Sequence, residues 1–460
     1  MIFELDPSDA PLGRRADWLA DRLRAAIADG TLPEGSMLPP GRALAADLGF
    51  ARGTVVEAYQ RLVEETLVIA EPRRGMRVAA VAARSESAHP HPADPDLRPR
   101  IDLAHGIPDV SAFPRAAWLR AEREVLSGAT AAQLGYPPPA GAHELREALA
   151  AWLARSRGVA ASPDRVVVTG GVAGALSLLA QILGARRGDA LATEDPGTAG
   201  TRTLLERWMP RVPGIPVDLD GLDVEALRDD GAGAVLVTPA HQYPTGVVLA
   251  PERRRALVAW ADERDGLVIE DDYDAEHRYD RRPVRAVQPL APERVAYTSS
   301  LSKTLAPALR MGWLVPPASL LRDLVELRWA TDLGGPAVPQ LVLALLLERG
   351  LVERHLRTVR LHHRRRRDAL VAGLRREHPG VRIGGIAAGL HLVVEARDDV
   401  EIADRLAGEG IDVLPLSTLY AGEAAREGLV LHYGGQPEHV LDAASVRIAR
   451  ALRHGATMRA

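Results

Sequence analysis

Five short apolar segments in the middle of the chain alternate with stretches of helical periodicity. They occupy residues 166–169, 190–193, 234–238, 267–271 and 295–298. Apolar runs of this length between helices are typical of buried parallel strands joined by crossover helices. The alternation predicts an α/β domain with a mainly parallel sheet, helices on both faces, and a ligand site at the carboxyl ends of the strands.

The last of these segments leads into the sequence SSLSK, which ends at Lys303. The chain has 57 lysine and arginine residues, and Lys303 is its single lysine. Arginine replaces lysine as a surface cation, but it cannot condense with an aldehyde as an amine does. A lysine left by chance in an arginine-rich chain is the alternative. Because Ser300, Ser302 and Arg310 are suited to hold a phosphate beside the amine, we predict a site for pyridoxal 5'-phosphate (PLP).

Carboxylates end the apolar segment at residues 267–271. In an extended strand Asp271 and Tyr273 share one face, whereas Glu270 and Asp272 share the other. A carboxylate at this position keeps a pyridine nitrogen protonated and makes the ring an electron sink. We select Asp271 for this role, with Asp272 as the second choice. In isolation, the acidic sequence EDDYDAE also suits a divalent-metal site or a solvated loop.

A glycine-rich turn, GGVAG at residues 170–174, follows the first apolar segment and opens a helix. The free amides and the dipole of a helix start attract anions. The amides of Val172 and Ala173 are therefore candidates for a phosphate cup, although such a turn is often only a turn.

Residues 1–80 have a pattern of helix, glycine turn, helix and β-ribbon. The predicted elements are helices at about 11–30, 42–48 and 52–64, and ribbon strands at 67–70 and 76–78. This is the helix-turn-helix pattern with a wing, which places Arg52, Gly53 and Thr54 at the exposed start of the second helix of the motif. By periodicity alone, any small three-helix unit would fit.

The charge of this segment is not that of a basic domain. Residues 1–80 contain ten arginines and twelve acidic residues, and the whole chain has a formal charge of −4. A surface that binds double-stranded DNA must therefore be local. The arginines near the second helix and the wing predict where it lies: Arg42, Arg52, Arg73, Arg74 and Arg77.

Prolines at high density and few apolar residues mark residues 81–100 as a stiff linker. Its His89 and His91 are metal-ligand candidates, but a solvated linker explains them as well. We therefore predict domains at 1–80 and 101–460, with a small α+β lobe from about residue 381. The chain has no cysteine for a disulfide or thiolate metal site. With neither a signal-peptide pattern nor a membrane-spanning apolar stretch, we expect a cytoplasmic protein without a membrane partner.

Residues 21–78, including GRALAADLGFARGTVVEAYQRL and RRGMRV, resemble the winged helix-turn-helix domain of GntR-type bacterial repressors. The resemblance implies binding to operator DNA. The chain departs from the family at Phe50 and Ala51, where a small residue and a serine are usual, and at Pro40, where a capping serine is common. We expect these departures to weaken a cap or a phosphate contact and to leave the fold intact.

The body resembles the fold type I, class I/II aminotransferases. The resemblance rests on the glycine turn and on EDPG, TPAHQYPTG, EDDYDAEHRYD and SSLSKTLAPALRMGW in that order. Joined to a GntR-like head, it resembles the MocR family of regulators, which includes PdxR-type members. This implies an internal aldimine at Lys303, Asp271 on the pyridine nitrogen and Tyr273 on the phenolate oxygen. It also implies Ser300, Ser302 and Arg310 near the phosphate, and a head-to-tail homodimer.

Several positions depart from the aminotransferase pattern. Tyr243 stands where an asparagine usually binds the phenolate oxygen, and His241 and His432 are further candidates near the cofactor, or packed neutral histidines. Thr198 and Gly200 replace a tyrosine and an arginine that holds a substrate carboxylate in many MocR relatives. Arg426 is the remaining C-terminal arginine that we nominate for an effector carboxylate, although a surface arginine is the alternative.

These features predict a transcriptional regulator that senses PLP, or its adduct with an amine or amino acid, and controls vitamin B6 or amino-acid metabolism. A catalytically active PLP-dependent aminotransferase is the alternative. The sequence HHRRRR at 362–367 is interpreted as a solvated helix face, and a second DNA contact remains the other possibility.

Overall fold

The computed structural model describes residues 7–11, 13–71, 74–79, 100–186, 190–279 and 284–457. The chain divides into two compact units, Met1–Leu97 and Arg98–Ala460, called here the head and the body. The predicted linker lies almost wholly at residues 80–99, outside the described residues. Within the described part of the chain, none of the helices combines the length and apolar character that crossing a bilayer requires.

The head consists of three helices followed by an antiparallel ribbon. Its elements are α1 (Arg15–Ala28), α2 (Gly41–Leu48), α3 (Arg52–Glu64), β1 (Val68–Glu71) and β2 (Gly75–Val78). Leu19, Leu44 and Leu62, one from each helix, are almost completely buried in a common core. Gly49 ends α2 with a φ of 65°, which a residue without a side chain adopts at little cost. The winged helix-turn-helix prediction is confirmed.

The departures from the GntR pattern remove caps and leave the helices in place. The N-caps of α2 and α3 are Pro40 and Ala51, and neither makes a side-chain hydrogen bond to its helix. Phe50 is buried instead against Trp18, with the ring centroids 6.1 Å apart at 71°. Core packing thus fixes the turn between the two helices.

The body is built from a large sheet, a small sheet and the helices that cover them. Its helices are α4 (Arg115–Gly128), α5 (His143–Ser156), α6 (Gly171–Arg186), α7 (Ala199–Glu206), α8 (Val224–Asp230), α9 (Pro251–Glu263), α10 (Ala318–Asp332), α11 (Ala337–Glu348), α12 (Leu351–Glu377), α13 (Asp399–Gly408) and α14 (Glu438–Thr457). Its first strands are β3 (Ile101–Asp102), β4 (Val167–Thr169), β5 (Leu191–Asp195), β6 (Gly214–Asp218), β7 (Gly221–Leu222), β8 (Ala234–Val237), β9 (Leu267–Asp271), β10 (Val295–Ser300) and β11 (Gly312–Val315). The remaining strands are β12 (Ile383–Gly384), β13 (His391–Glu395), β14 (Ile411–Asp412), β15 (Leu414–Pro415) and β16 (Gly428–His432).

The large sheet has eight strands in the order β4-β11-β10-β9-β8-β5-β6-β7. The strands from β10 to β6 are parallel, and β11 and β7 are antiparallel to their neighbours. Successive residues of β4 pack on opposite sides, with Val167 against α6 and Val168 against α5 and α11. The predicted α/β fold, with a mainly parallel sheet covered on both faces, is confirmed.

The small lobe consists of the antiparallel sheet β12-β13-β16-β15, α13, α14 and the C-terminal half of α12. The first residues of the body also belong to it, because β3 pairs with β14 and Leu103 is buried in the small lobe's core. This core draws on residues at both ends of the body, so the small lobe is not a segment that simply begins near residue 381.

Candidate functional site

Lys303 lies in the loop that follows β10, at the carboxyl edge of the large sheet. Its Nζ donates a hydrogen bond to the carbonyl oxygen of Gly106. Burial lowers the pKa of the amine below its ordinary value, although the carboxylates of Asp274 and Asp271 oppose that shift. A lysine in this environment has a larger neutral fraction than one at the surface, which favours reaction with a carbonyl group.

Asp271 ends β9 beside this amine. Its Oδ1 is buried and has no hydrogen-bond partner among the described residues. Burial, followed by repulsion from Asp272, Asp274 and Glu194, raises the pKa of Asp271 to about 8, and Lys303 opposes the shift. A buried carboxyl oxygen without a partner is uncommon and calls for an explanation. A protonated ring nitrogen would satisfy it, so this residue fits the role predicted for it.

The second-choice carboxylate, Asp272, has a structural role. Its oxygens lie 2.5 and 3.0 Å from the guanidinium of Arg157, and the hydroxyl of Tyr297 donates to it at 2.6 Å. Both members of the ion pair are about 1% exposed. The alternation along β9 therefore separates the two carboxylates as predicted: Asp272 faces a buried arginine, and Asp271 faces away from it.

Aromatic rings and imidazoles form a group that we call the ring wall: His241, Tyr243, Tyr273, His391 and His432. The Tyr273 hydroxyl lies 3.2 Å from His241 Nδ1, and the Tyr243 hydroxyl lies 3.4 Å from His432 Nε2. His391 and His432 are register partners in β13 and β16. Burial lowers the pKa of His391 well below its ordinary value and that of His432 to about 4, so both imidazoles are neutral.

His241, Asp274 and His391 are buried, and their ligand atoms all lie within 4.8 Å of one another, close enough to hold a metal ion. However, His241 Nδ1 is 2.9 Å from Asp274 Oδ2, and His391 Nε2 is 3.0 Å from the carbonyl oxygen of Pro244. The backbone also fills the space beside them, since a Cβ at Gly389 would stand 2.2 Å from His241 Cε1. These contacts favour a hydrogen-bond network over a metal site.

The predicted phosphate residues meet where β10, β11 and α6 come together. Arg310 donates to the carbonyl oxygen of Gly170 at 2.8 Å, directly before α6. A Cβ at Gly312 would lie 2.8 Å from the Cα of Gly171, so only glycine allows this approach. Val172 is half-buried and Ala173 is exposed in the first turn of α6, whose amides have no helical acceptor. The arrangement suits an anion.

The two predicted serines lie between this helix start and the lysine. Ser300 is the last residue of β10 and is buried, and its hydroxyl oxygen accepts the amide hydrogen of Ser302 at 3.3 Å. The structure therefore brings the predicted lysine, acid and phosphate residues to the carboxyl edge of the large sheet, on β9, β10, α6 and the loop that follows β10.

The structure does not bring Arg426 to this place. Its guanidinium lies 2.9 Å from Glu395, which is paired with Gly428 in the β13/β16 ladder. The histidines of the ring wall, His391 and His432, are paired four residues further along the same ladder. Four residues of strand correspond to about 13 Å, so Arg426 lies at the opposite end of these strands.

Two contacts of Lys303 were missed at the sequence level. A Cβ at Gly106 would lie 3.1 Å from His432 Cδ2 and 3.4 Å from Lys303 Nζ, so this glycine lets the backbone approach the amine. His277 Nε2 is 3.1 Å from the carbonyl oxygen of Lys303. His277 lies inside the acidic motif, but nothing in the sequence indicates that its ring turns toward the lysine loop.

The helix at 362–367 also differs from the prediction of a solvated face. Arg364 and Arg365 are exposed, but His363 is fully buried and Arg366 is 9% exposed. Arg366 binds Asp109 at 2.7 Å. Part of this basic sequence is therefore buried, because Arg366 forms an ion pair with a loop that is distant in sequence.

In the head, the ion pairs distinguish two groups of arginines. Arg24 and Arg61 bind carboxylates of neighbouring helices, and Arg77 binds Glu71 at 2.6 Å. Arg42, Arg52 and Arg74 are exposed and form no ion pair with any other described residue. Gly53 is exposed and Thr54 is half-buried in the first turn of α3, and Arg73 lies outside the described residues. A positive surface therefore remains beside α3 despite the negative charge of residues 1–80.

Comparisons with known proteins agree with both units. Residues 98–431 match the family described as aminotransferase class I and II, and residues 15–78 match the bacterial regulatory proteins of the gntR family. An archaeal alanine:glyoxylate aminotransferase superposes with a TM-score of 0.71 at 28% identity, over 77% of this chain and 91% of that one. The kynurenine aminotransferase of Pyrococcus horikoshii has the same TM-score and coverage at 27% identity.

Two curated relatives match nearly the whole chain. The HTH-type pyridoxine biosynthesis transcriptional regulator PdxR of Corynebacterium glutamicum is 32% identical, over 95% of this chain and 96% of its own length. The probable rhizopine catabolism regulatory protein MocR of Rhizobium meliloti is 31% identical, over 95% of this chain and 92% of its own length. Because these matches extend across head and body alike, the chain belongs to the MocR/PdxR-like family of GntR-type transcriptional regulators.

Proposed function

We propose that the protein binds PLP at Lys303 and that this binding changes the affinity of the head for operator DNA. One observation carries the proposal: the only lysine of the chain has a lowered pKa beside Asp271, whose buried Oδ1 has no partner among the described residues. An amine next to an unsatisfied acid is suited to a ligand with both an aldehyde and a basic ring nitrogen.

Different residues at the carboxyl edge of the large sheet would bind different parts of such a ligand. Asp271 would share its proton with the ring nitrogen, and Tyr273 would donate to the phenolate oxygen. Ser300, Ser302, Arg310 and the first amides of α6 would hold the phosphate. PLP supplies an aldehyde that condenses with primary amines and a ring that withdraws electrons. Burial lowers the pKa of Lys303, which favours the neutral amine that this reaction requires.

The ring wall favours PLP itself as the effector over a particular amino acid. An α-carboxylate needs a cation or several donors in a site closed to water. The ring wall offers phenols and the neutral imidazoles of His391 and His432, and Arg426 lies at the far end of the β13/β16 ladder. The same features disfavour an active aminotransferase, which must hold a substrate carboxylate.

We extend the proposal to a homodimer formed through the body. Large apolar side chains are exposed on α4 and directly after it: Leu119, Leu126, Leu134 and Tyr136. Large apolar side chains exposed close together in the chain are candidates for an interface. The head-to-tail arrangement that the family resemblance implies remains part of this proposal.

The single lysine allows a direct test of the cofactor. A preparation without lysine in its purification tag is mixed with PLP, reduced with borohydride, digested and analysed by mass spectrometry. We expect one pyridoxyl-modified lysine peptide in the wild type and none in Lys303→Ala. A modified α-amino group as the main product, or the same labelling of both proteins, contradicts the proposal.

Regulation is tested by fluorescence anisotropy with DNA from upstream of the protein's own gene and its divergent neighbour. Binding is measured at two stated salt concentrations, with and without PLP. We expect specific binding whose affinity PLP changes, and no PLP effect in Lys303→Ala. If both proteins respond equally to PLP, the site is not the sensor. If neither binds specifically while amino acids are turned over, the protein is an aminotransferase.

A further inference from the structure

The segment from Gly106 to Asp109 links the side chain of Lys303 to the backbone of the same residue, through hydrogen bonds made at the two ends of the segment. At its first residue, the carbonyl oxygen of Gly106 accepts from Lys303 Nζ. At its last residue, the amide of Asp109 donates to His363 Nε2 on α12 at 3.2 Å. The segment therefore connects the amine of the lysine with a buried histidine of a distant helix.

Two imidazoles complete the connection back to the lysine. His363 Nδ1 lies 3.5 Å from His277 Nδ1, and His277 Nε2 lies 3.1 Å from the carbonyl oxygen of Lys303. The bonds thus form a closed path from the side chain of Lys303 to its own backbone. We call this path the lysine circuit: Lys303, Gly106, Asp109, His363 and His277.

The ends of the histidine pair determine where its protons lie. The amide of Asp109 can only donate, so His363 Nε2 must accept and its Nδ1 must carry the hydrogen. The carbonyl of Lys303 can only accept, so His277 Nε2 must carry a hydrogen and its Nδ1 must be the acceptor. All the bonds are therefore satisfied in one arrangement, with both imidazoles neutral. Burial agrees with this, since it lowers the pKa of His277 to about 4 and that of His363 to about 2.

Other contacts fix the segment on α12 and on the small lobe. Asp109 Oδ2 lies 2.7 Å from Arg366, which also donates to the carbonyl oxygen of Gly434 after β16. A Cβ at Gly434 would stand 2.8 Å from the carbonyl oxygen of Ile107, so the two backbones are in close contact. These contacts restrain the rest of the segment, so a displacement at Gly106 is passed on to Asp109.

We propose that the lysine circuit is the element through which the body detects the chemical state of Lys303. The proposal rests on the proposed function above. When an amine condenses with a carbonyl compound, the oxygen leaves as water and the two hydrogens of that water come from the nitrogen. The nitrogen of the neutral imine has no hydrogen to donate to Gly106, and the circuit opens. Gly106 lies four residues after β3, with which the body begins, so the opening loosens the segment that follows the entry of the chain from the head.

The circuit can be tested without PLP by hydrogen exchange at the amide of Asp109. The Lys303→Ala variant removes the donor at one end of the circuit. The His363→Phe variant keeps a planar ring and removes both of its hydrogen bonds. Losing one such bond should raise the exchange rate of this amide by at least about fivefold in each variant. An unchanged rate in either folded variant overturns the proposal, and Lys303→Ala decides alone if His363→Phe does not fold.

His355→Phe is the matched control. His355 is also a buried histidine of α12, and its Nε2 lies 3.0 Å from the carbonyl oxygen of Thr304, next to the lysine but outside the circuit. We expect the exchange rate at Asp109 to stay within about twofold of the wild type. An equal rise in His355→Phe would mean that any lost histidine loosens the helix, and the circuit would have no special role.

A second measurement links the circuit to regulation. The ratio of DNA affinities with and without PLP should fall to within about twofold of one in His363→Phe, while His355→Phe keeps the wild-type ratio. A wild-type ratio in His363→Phe overturns the circuit as the sensing element. If PLP has no effect on DNA binding by the wild type but the exchange results hold, the proposed function fails and the circuit remains as the support of the lysine loop.

Discussion

The head and the body both contain ionisable groups without partners, but these groups lie in opposite surroundings. In the described part of the head, the exposed arginines without an ion pair are Arg15, Arg42, Arg52 and Arg74, and the ion pairs of Arg24 and Arg61 lie elsewhere on its surface. In the described part of the body, several buried side-chain atoms have no partner, and Oδ1 of Asp271 is the one that lies beside Lys303. An unpaired surface charge costs almost nothing, whereas a buried one costs several kcal/mol and shifts its own pKa. In the interior, therefore, the energetic cost of an unpaired group marks a candidate site. At the surface, the absence of an ion pair marks it.

The largest effect on stability is expected within the body, where the neighbouring carboxylates Asp271 and Asp272 differ in their partners. Asp272→Ala leaves the guanidinium of Arg157 buried without its partner and should lower the free energy of unfolding by about 3–5 kcal/mol. Urea denaturation of the full chain measures this. The exposed pair between Asp262 and Arg294 is the control, and Asp262→Ala should cost less than about 1 kcal/mol. Equal losses would remove the distinction between buried and exposed pairs.

Asp271→Asn should have the opposite effect on the PLP-free protein. Because burial raises the pKa of Asp271 to about 8, its carboxyl is protonated when folded and ionised when unfolded between about pH 4 and 8. Its contribution to stability is therefore present at pH 4 and is lost as the pH rises through 8. The variant should gain about 1–3 kcal/mol relative to the wild type between pH 5 and pH 8, while its affinity for PLP falls. A pH-independent difference would contradict the raised pKa.

In the head, Arg52→Ala should weaken binding to operator DNA by about tenfold, because this unpaired arginine lies at the start of α3. A phosphate contact would also reduce the slope of log affinity against log salt by about one. Anisotropy titrations at several salt concentrations separate a phosphate contact from a base contact. A variant that binds as the wild type does, with the same salt slope, would exclude Arg52 from the interface.

The smallest effect is expected for Arg24→Ala. Its guanidinium lies 2.7 Å from Glu65 and is paired away from α3's first turn. We expect less than about 1 kcal/mol loss of stability and DNA affinity within about twofold of the wild type. Thermal unfolding and the same titration check both values. A loss of DNA affinity as large as that of Arg52→Ala would show that ion pairing does not distinguish the arginines that contact DNA from the other arginines of the head.

Much of the fold follows from local patterns in the sequence. The predicted helix at 52–64 and the predicted strand at 267–271 coincide with α3 and β9. In both elements, the period of the apolar residues and the positions of the residues that break helices or strands predict the same type of element and the same bounds. The small lobe was only partly predicted, because its core joins Leu103 to residues 370–452, which no local pattern connects.

The site divides in the same way. Lys303 and Asp271 were nominated from chemistry that the sequence displays, namely the only lysine and a carboxylate at a strand end, and the structure places them side by side. His363 was interpreted as part of a solvated face, since its neighbours are arginines. Its burial depends on a loop 254 residues away, which supplies the amide of Asp109. Groups whose roles depend on such long-range contacts are found only in the folded chain.

The pairing of β3 with β14 determines which part of the body a force along the chain acts on first. Arg100 binds Asp412, and Ile101 and Leu103 pack in the core of the small lobe, so the chain that arrives from the head is fastened there and not to the large sheet. A tension applied along the chain is borne first by the short ladder between these two strands. A rotation of the small lobe would therefore carry residues 100–103 with it.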